Sequence, residues 1–248
     1  MRAPRFSIPA RGVAALALAA LVLAAPAPPA GATNPDIQAL LDQVTQPRLS
    51  QFIQRLQDFQ TRHSRTDSVI AAADWLIAQH QSFGYADIFE HPFLVNIGGT
   101  LYPQRNIVVT KLGSVRPDEV YIIGGHYDST SNQPTTAAPG ADDDGSGSAA
   151  VLVMAEILAD VDLDATVMFA HWAAEEQGFV GSQAWVNYAQ SQGIDIQLYM
   201  NLDACGYQGD PDNVVKLFSN QQSMPFNTTM RDLCLKYTTL SPTIVSPI

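Results

Sequence analysis

Four short motifs carry acids, or a histidine with acids, in an order that suits metal chemistry. They are His126-Tyr127-Asp128, Asp142-Asp143-Asp144-Gly145-Ser146-Gly147, Glu175-Glu176 and Asn201-Leu202-Asp203. Charged side chains are seldom fully buried unless they are paired or bind a metal. Three consecutive acids repel one another unless a cation neutralises them, and a pair of metal ions about 3.5–4 Å apart would do so. One His with several carboxylates suits zinc, which accepts both nitrogen and oxygen ligands. Calcium and magnesium more often use oxygen alone. The Glu pair follows the apolar run 166–170. If the chain stays extended there, neighbouring side chains point to opposite sides, so one acid can hold a metal while the other faces a substrate water.

These motifs need elements to position them. The segments 120–125, 166–170 and 196–202 read as strands, the first a continuous apolar run suited to burial on both faces. Residues 146–159 and 182–190 read as helices, the first apolar on most sides. A polar loop spans 129–144. Strand alternating with helix predicts parallel α/β architecture, with the motifs at the carboxyl ends of the strands, where ligands bind in such sheets. Upstream, Asn34-Pro35-Asp36 marks a helix start. Apolar residues recur at helical spacing through 49–59 and 69–77, and these stripes are predicted to face the core. Gly84 is predicted to end the second of these helices. Strands at 88–95 and 106–111, turned by Gly98-Gly99, form an antiparallel pair. A strand at 214–218, a helix at 225–237 and a strand-like 243–245 follow.

The chain opens on Arg2, Arg5 and Arg11, an apolar run at 13–25 and the small residues Ala30-Gly31-Ala32. That is the pattern of a secretory signal peptide, with cleavage expected after Ala32. The run is too short to span a bilayer comfortably. A secreted, extracellular protein is expected, with no membrane association in its mature form. Residues 1–32 contain three of the 13 basic residues and none of the 24 acids, so removing them takes the net charge from −11 to −14 (10 basic against 24 acidic residues). This balance argues against nucleic acid as a partner, because phosphate binding needs a basic surface. Residues 33–248 are long enough to bury one good core, so one domain is expected. The two cysteines, Cys205 and Cys234, can pair in an exported protein or stay free, and the sequence leaves this open. Asn227-Thr228-Thr229 fits an N-glycosylation site. His63, His80 and His91 carry no motif. His171, just before the Glu pair, is expected to pack locally, and Trp75, Trp172 and Trp185 are expected in the core.

In this order and at these positions the four motifs resemble the secreted di-zinc aminopeptidases of peptidase family M28, most clearly over residues 105–207 and more loosely back to about residue 35. The resemblance implies a three-layer α/β/α domain of zinc exopeptidase type, with a mixed, mostly parallel central sheet flanked by helices. It implies that His126 and Asp203 ligate one zinc, that Glu176 ligates a second, and that Asp143 bridges the two. Asp128 would orient His126, and metal-bound His usually does donate its other N–H to a carboxylate. Glu175 would be the general base, with Asp142 and Asp144 in support. The peptide bond after Asp143 would be cis. The substrate would be a peptide or protein with a free N-terminus, and the enzyme a monomer. The family's second zinc takes one more His from the C-terminal part of the domain, yet no His follows His171. The domain is therefore expected to be incomplete at its C-terminus. The competing readings are a metallo-carboxypeptidase or dipeptidase, a glutaminyl-cyclase-like transferase and a noncatalytic relative. No basic residue near the motifs would grip a C-terminal carboxylate, the Asp triplet suits two metals, and every expected position present is intact.

Overall fold

The computed structural model describes residues 33–206 and 214–246; the expected signal peptide, residues 1–32, lies outside them. The chain groups into two compact units, Leu49–Gly206 and the flanking residues on either side of it.

In the flanking unit, α1 (Pro35–Leu41) starts where expected. The Asn34 side chain accepts from the Asp36 N–H and Pro35 occupies the first turn, which satisfies a donor that the helix itself leaves unpaired. The Asn34 N–H donates to the Tyr237 hydroxyl at 2.8 Å, at the end of α6 (Met224–Tyr237). Strands β6 (Val214–Phe218) and β7 (Ser241–Val245) pair in parallel.

The larger unit carries the motifs. Helix α2 (Gln46–Gln57) buries Leu49, Phe52, Ile53 and Leu56. Helix α3 (Asp67–Ser82) buries Val69, Ala73 and Leu76, but Ile70, on the predicted core stripe, is 45% exposed. The stripe is narrower than the apolar count suggested. Gly84 leaves α3 at a φ of +95°, a conformation that glycine adopts without strain.

Strands β1 (Ile88–Ile97) and β2 (Thr100–Lys111) form the antiparallel hairpin, with Gly98 and Gly99 both at positive φ in the two-residue turn, as a tight hairpin demands. Then come β3 (Arg116–His126), α4 (Gly145–Leu158), β4 (Ala165–Trp172), α5 (Val180–Gln192) and β5 (Asp195–Asn201). The sheet order is β1-β2-β4-β3-β5. Strand β2 is antiparallel to both neighbours, whereas β3 is parallel to β4 and β5. Four strands thus point one way and β2 opposes them. The sheet is mixed, with helices on both faces.

Helices α3 and α4 pack on one face and α5 on the other. On the α5 side, Val108, Val120, Ile122, Ala170 and Trp172 pack with Trp185 and Ala189. Residues 145–155 of α4 are all buried, so this helix is apolar all round because it is enclosed all round. Among the described residues no helix is long and apolar enough to cross a membrane.

Candidate metal centre

Strands β3, β4 and β5 run in parallel, so their carboxyl ends lie side by side. His126 is the last residue of β3, Asp203 comes two residues after β5, and Glu175 and Glu176 follow β4 after two alanines. The loop before α4 adds Asp142, Asp143 and Asp144. The Glu pair does not sit on extended backbone. Ala174 has a φ of +55°, and the chain bends so that the Glu175 carbonyl accepts from both the Gly178 and Phe179 N–H groups. Alternation along a strand therefore does not separate the two acids; a tight turn does.

The His126 imidazole is the hub. Its Nε2 lies 3.0 Å from Asp143 Oδ1, 3.8 Å from Glu175 Oε2 and 3.9 Å from Asp203 Oδ1. Glu176 points elsewhere in the cluster, where its Oε1 accepts from the Thr130 N–H at 3.1 Å. The electrostatics register this crowding. Burial pulls the His126 pKa down, but contacts with Asp128 and Asp143 overcome it and lift the group to about 11. The hydrogen bond from His126 lowers the Asp143 carboxyl. Burial, helped by neighbouring acids, raises Glu175 and Asp203, and it raises Glu176 to about 7 with Asp143 and Asp128 adding to the effect. Carboxyls raised by one another mark an excess of negative charge that a cation would relieve.

Two further acids support the cluster from beneath. Asp128 is fully buried. Its two oxygens accept from the backbone N–H groups of Glu175 (3.0 Å) and Glu176 (3.2 Å). Its carboxylate lies 3.6 Å from His126 Nδ1, while the backbone carbonyl of Asp128 is nearer at 3.2 Å. The expected orienting role toward His126 is therefore shared with this carbonyl, and the carboxylate mainly pins the Glu turn. Asp128 is a positioning residue and not a group open to substrate.

Asp144 is also fully buried. It accepts from the N–H groups of His126, Gly147 and Ala204 and caps α4. Ligand atoms of His126, Asp144 and Asp203 lie within 4.8 Å of one another, so proximity alone would nominate Asp144 as a ligand. Its three backbone bonds argue for a brace instead, and Asp143, whose side chain is 65% exposed, is the acid free to meet a metal. Asp142 holds the next turn, accepting from Ser146 Oγ and the Gly206 N–H. The Asp143–Asp144 peptide bond is cis.

The remaining expectations sort by contact. His171 is fully buried, with Nε2 3.0 Å from His80 Nε2, and is remote from metal chemistry. His63 and His91 are buried as well. Trp172 and Trp185 lie in the core and Trp75 is half-buried. Cys205 and Cys234 are both free, and burial raises the Cys205 thiol well above its usual range. The sequon asparagine, Asn227, does not present its amide to solvent. It is buried within α6 and its amide donates to the Phe218 carbonyl at 2.9 Å.

Sequence reasoning missed Arg62 and Ser129, which bond to the main chain around the site, and Thr130, whose N–H donates to Glu176 Oε1. The signal for Arg62 was the polar run Thr61-Arg62-His63-Ser64-Arg65 between two helices, all but Arg65 of it buried.

The donor set fits zinc: one imidazole nitrogen among several carboxylates, at the strand ends, with an outer carboxylate holding the turn that carries two of them. His126, Asp143, Glu176 and Asp203 are the residues that would hold it. Residues 106–245, more than half the chain, match the model of peptidase family M28, and the chain belongs to that family. It is 34% identical over 221 residues to a probable zinc metalloprotease of Pyrenophora tritici-repentis (strain Pt-1C-BFP), a match covering 78% of this chain and 50% of that protein. It is 28% identical over 185 residues to a probable leucine aminopeptidase of Arthroderma otae (strain ATCC MYA-4605 / CBS 113480), covering 69% of this chain and 49% of the relative. The crystal structure of LapB from Legionella pneumophila superposes with a TM-score of 0.71 at 25% identity, over 85% of this chain and 57% of LapB. The chain spans about half the length of the curated relatives it matches.

Proposed function

We propose that this zinc peptidase-family chain is a secreted aminopeptidase that removes N-terminal residues from peptides with two zinc ions and a glutamate base. The observation that carries the reading is the Glu175-Glu176 turn: both backbone N–H groups are pinned by Asp128, and Glu175 Oε2 stands 3.8 Å from the imidazole nitrogen that faces Asp143 and Asp203. His126 and Asp203 would hold one ion, Glu176 the other, and Asp143 both. Bound there, the ions supply a water of lowered pKa and a Lewis acid for the scissile carbonyl.

The chain's own residues do the rest. Glu175 takes the proton from the attacking water and returns it to the leaving amine. Its partial burial and raised pKa suit that exchange. Asp128 fixes the turn so that base and ligand keep a constant separation. The surplus of carboxylates attracts the substrate's α-ammonium. The leader-like residues 1–32 support export, with a mature N-terminus at Thr33, and the net charge of −14 after their removal (10 basic against 24 acidic residues) supports a soluble protein that leaves nucleic acid alone.

The test is cleavage of leucine p-nitroanilide by the purified protein beside its N-acetylated analogue, with and without a zinc chelator. Chelator-sensitive cleavage of the free-amine substrate alone is the expected result. Equal cleavage of both substrates, or of neither by zinc-loaded protein, would overturn the aminopeptidase reading.

A further inference from the structure

Arg62 is 0% exposed, and among the described residues every hydrogen bond from its guanidinium ends on a main-chain carbonyl. Nε donates to Tyr127 O at 2.6 Å, Nη1 to Leu56 O at 2.9 Å and to Pro139 O at 2.7 Å, and Nη2 to Gly140 O at 2.8 Å. A buried cation that meets dipoles instead of a carboxylate is an expensive arrangement, so what it holds matters. Tyr127 lies between His126 and Asp128. Pro139 and Gly140 open the turn that delivers Asp143. The fork thus joins the two segments that carry the hub imidazole and the exposed acid 3.0 Å from it.

The main chain of Arg62 repeats the link. Its N–H donates to Ser129 Oγ at 3.0 Å, and Ser129 Oγ donates to Ala138 O at 2.7 Å. There is no slack at the junction. A Cβ on Gly140 would come within 2.9 Å of Arg62 Nη2 and 2.5 Å of Asp143 O. The guanidinium also lies in the field of Asp128, Asp144, Asp143 and Glu176, and although burial pulls it down to about 10, it keeps its proton at neutral pH.

We propose that Arg62 is a positioning residue for metal loading, whose fork holds the His126–Asp128 turn and the Asp143 turn at ligand spacing before the metal arrives. This rests on the metal reading above. Two effects of Arg62 oppose each other. Its charge repels a dication, whereas its fixed geometry spares the site the reorganisation needed to bind one. Outer partners of metal ligands typically change metal affinity by about 10–100-fold, and four directed bonds at one fork place the geometric effect in that range.

The experiment is zinc affinity by competition with a chromophoric chelator, on wild-type protein, Arg62→Lys and Ser129→Ala, each held below its own melting temperature and checked for native circular dichroism. Lysine keeps the charge and loses the planar fork. Arg62→Lys is expected to bind zinc about tenfold or more weakly, and Ser129→Ala to weaken it in the same direction by less. Wild-type affinity in folded Arg62→Lys, with only a lower melting temperature, would make Arg62 a structural brace and overturn the proposal. Tighter binding would show that the fork hinders loading instead of preparing the site, and would overturn it too. If Arg62→Lys does not fold, unchanged affinity in Ser129→Ala is the overturning result. Wild-type protein that binds no zinc would sink the metal reading itself; zinc-binding wild type with unchanged variants would sink this inference alone.

Discussion

His126 and His171 sit on neighbouring parallel strands, one step apart in register: His126 lies opposite Trp172, and His171 opposite Gly125. Both are buried, at 2% and 0% exposure. That single step sends them to different chemistry. His126 reaches the strand end and meets Asp143, Glu175 and Asp203. His171 turns into the core, against His80 and 3.4 Å from Ser148 Oγ. Burial lowers the pKa of both, but only His126 has carboxylates to reverse it. His126 rises to about 11, while His171 falls well below the usual histidine range, with His80 adding to the effect of burial. Depth of burial does not separate a proposed ligand from a packing residue here; the company at the ring nitrogens does. Ser148 touches both worlds, since its hydroxyl donates to the His126 carbonyl at 2.8 Å.

The largest expected effect breaks the comparison directly. His126→Ala should weaken zinc binding by more than about 100-fold, since loss of an outer partner alone reaches that scale. His171→Gln should leave zinc binding within about twofold and instead lower stability by about 1–3 kcal/mol through a disturbed buried hydrogen bond. Chelator competition and chemical denaturation on the two variants read both quantities, and similar zinc losses in each would erase the distinction.

A smaller effect is expected at Asp128→Asn. The amide keeps one acceptor oxygen, so one of the Glu175 and Glu176 N–H groups loses its partner, and zinc affinity should fall about tenfold with the fold intact. Unchanged affinity and turnover would show that the pinned turn is not needed.

A separate effect, on stability and not on metal binding, concerns the His80–His171 pair. Burial pulls His80 down to about 3, against about 6.5 in an unfolded chain. At pH 7 both states are mostly neutral. Below about 6.5 the unfolded chain takes up protons that the folded one refuses, so stability falls as pH falls through the window from 6.5 toward 3. His80→Gln should shrink the loss of stability between pH 7 and pH 5 by about 2 kcal/mol, measured by urea denaturation of zinc-free protein at the two pH values. An unaltered pH profile would place the acid sensitivity elsewhere.

Much of this was legible before any coordinates. The apolar run 120–125 and the polar residues after each run placed His126, Glu176 and Asp203 at strand ends, because a buried parallel strand reads as a continuous apolar run whose polar continuation falls at the ligand-binding edge, and the Asp triplet before the apolar helix placed Asp143 at a helix start. His171 was expected to pack locally, and it does, although the strand assigned to 166–170 runs on to Trp172 and takes His171 in. What could not be read was the conformation of the Glu turn, which depends on Ala174 at positive φ, a state that alanine does not advertise. Nor could the roles of Asp128 and Arg62. Both act through backbone groups far away in sequence, and a hydrogen bond to a carbonyl 65 or 78 residues distant leaves no local pattern. Ile70 and Asn227 show the opposite failure: each has the right residue type for its predicted place, and the fold turned one outward and the other inward.

The central claim is that Glu175 moves protons while its neighbour Glu176 holds metal. Glu175→Gln tests it most directly, with zinc content and turnover of a free-amine substrate measured on the same sample. Zinc content equal to wild type with kcat lowered by about 10²–10⁴-fold is the predicted result. Near-normal turnover by zinc-loaded Glu175→Gln would contradict it and hand the base to another residue.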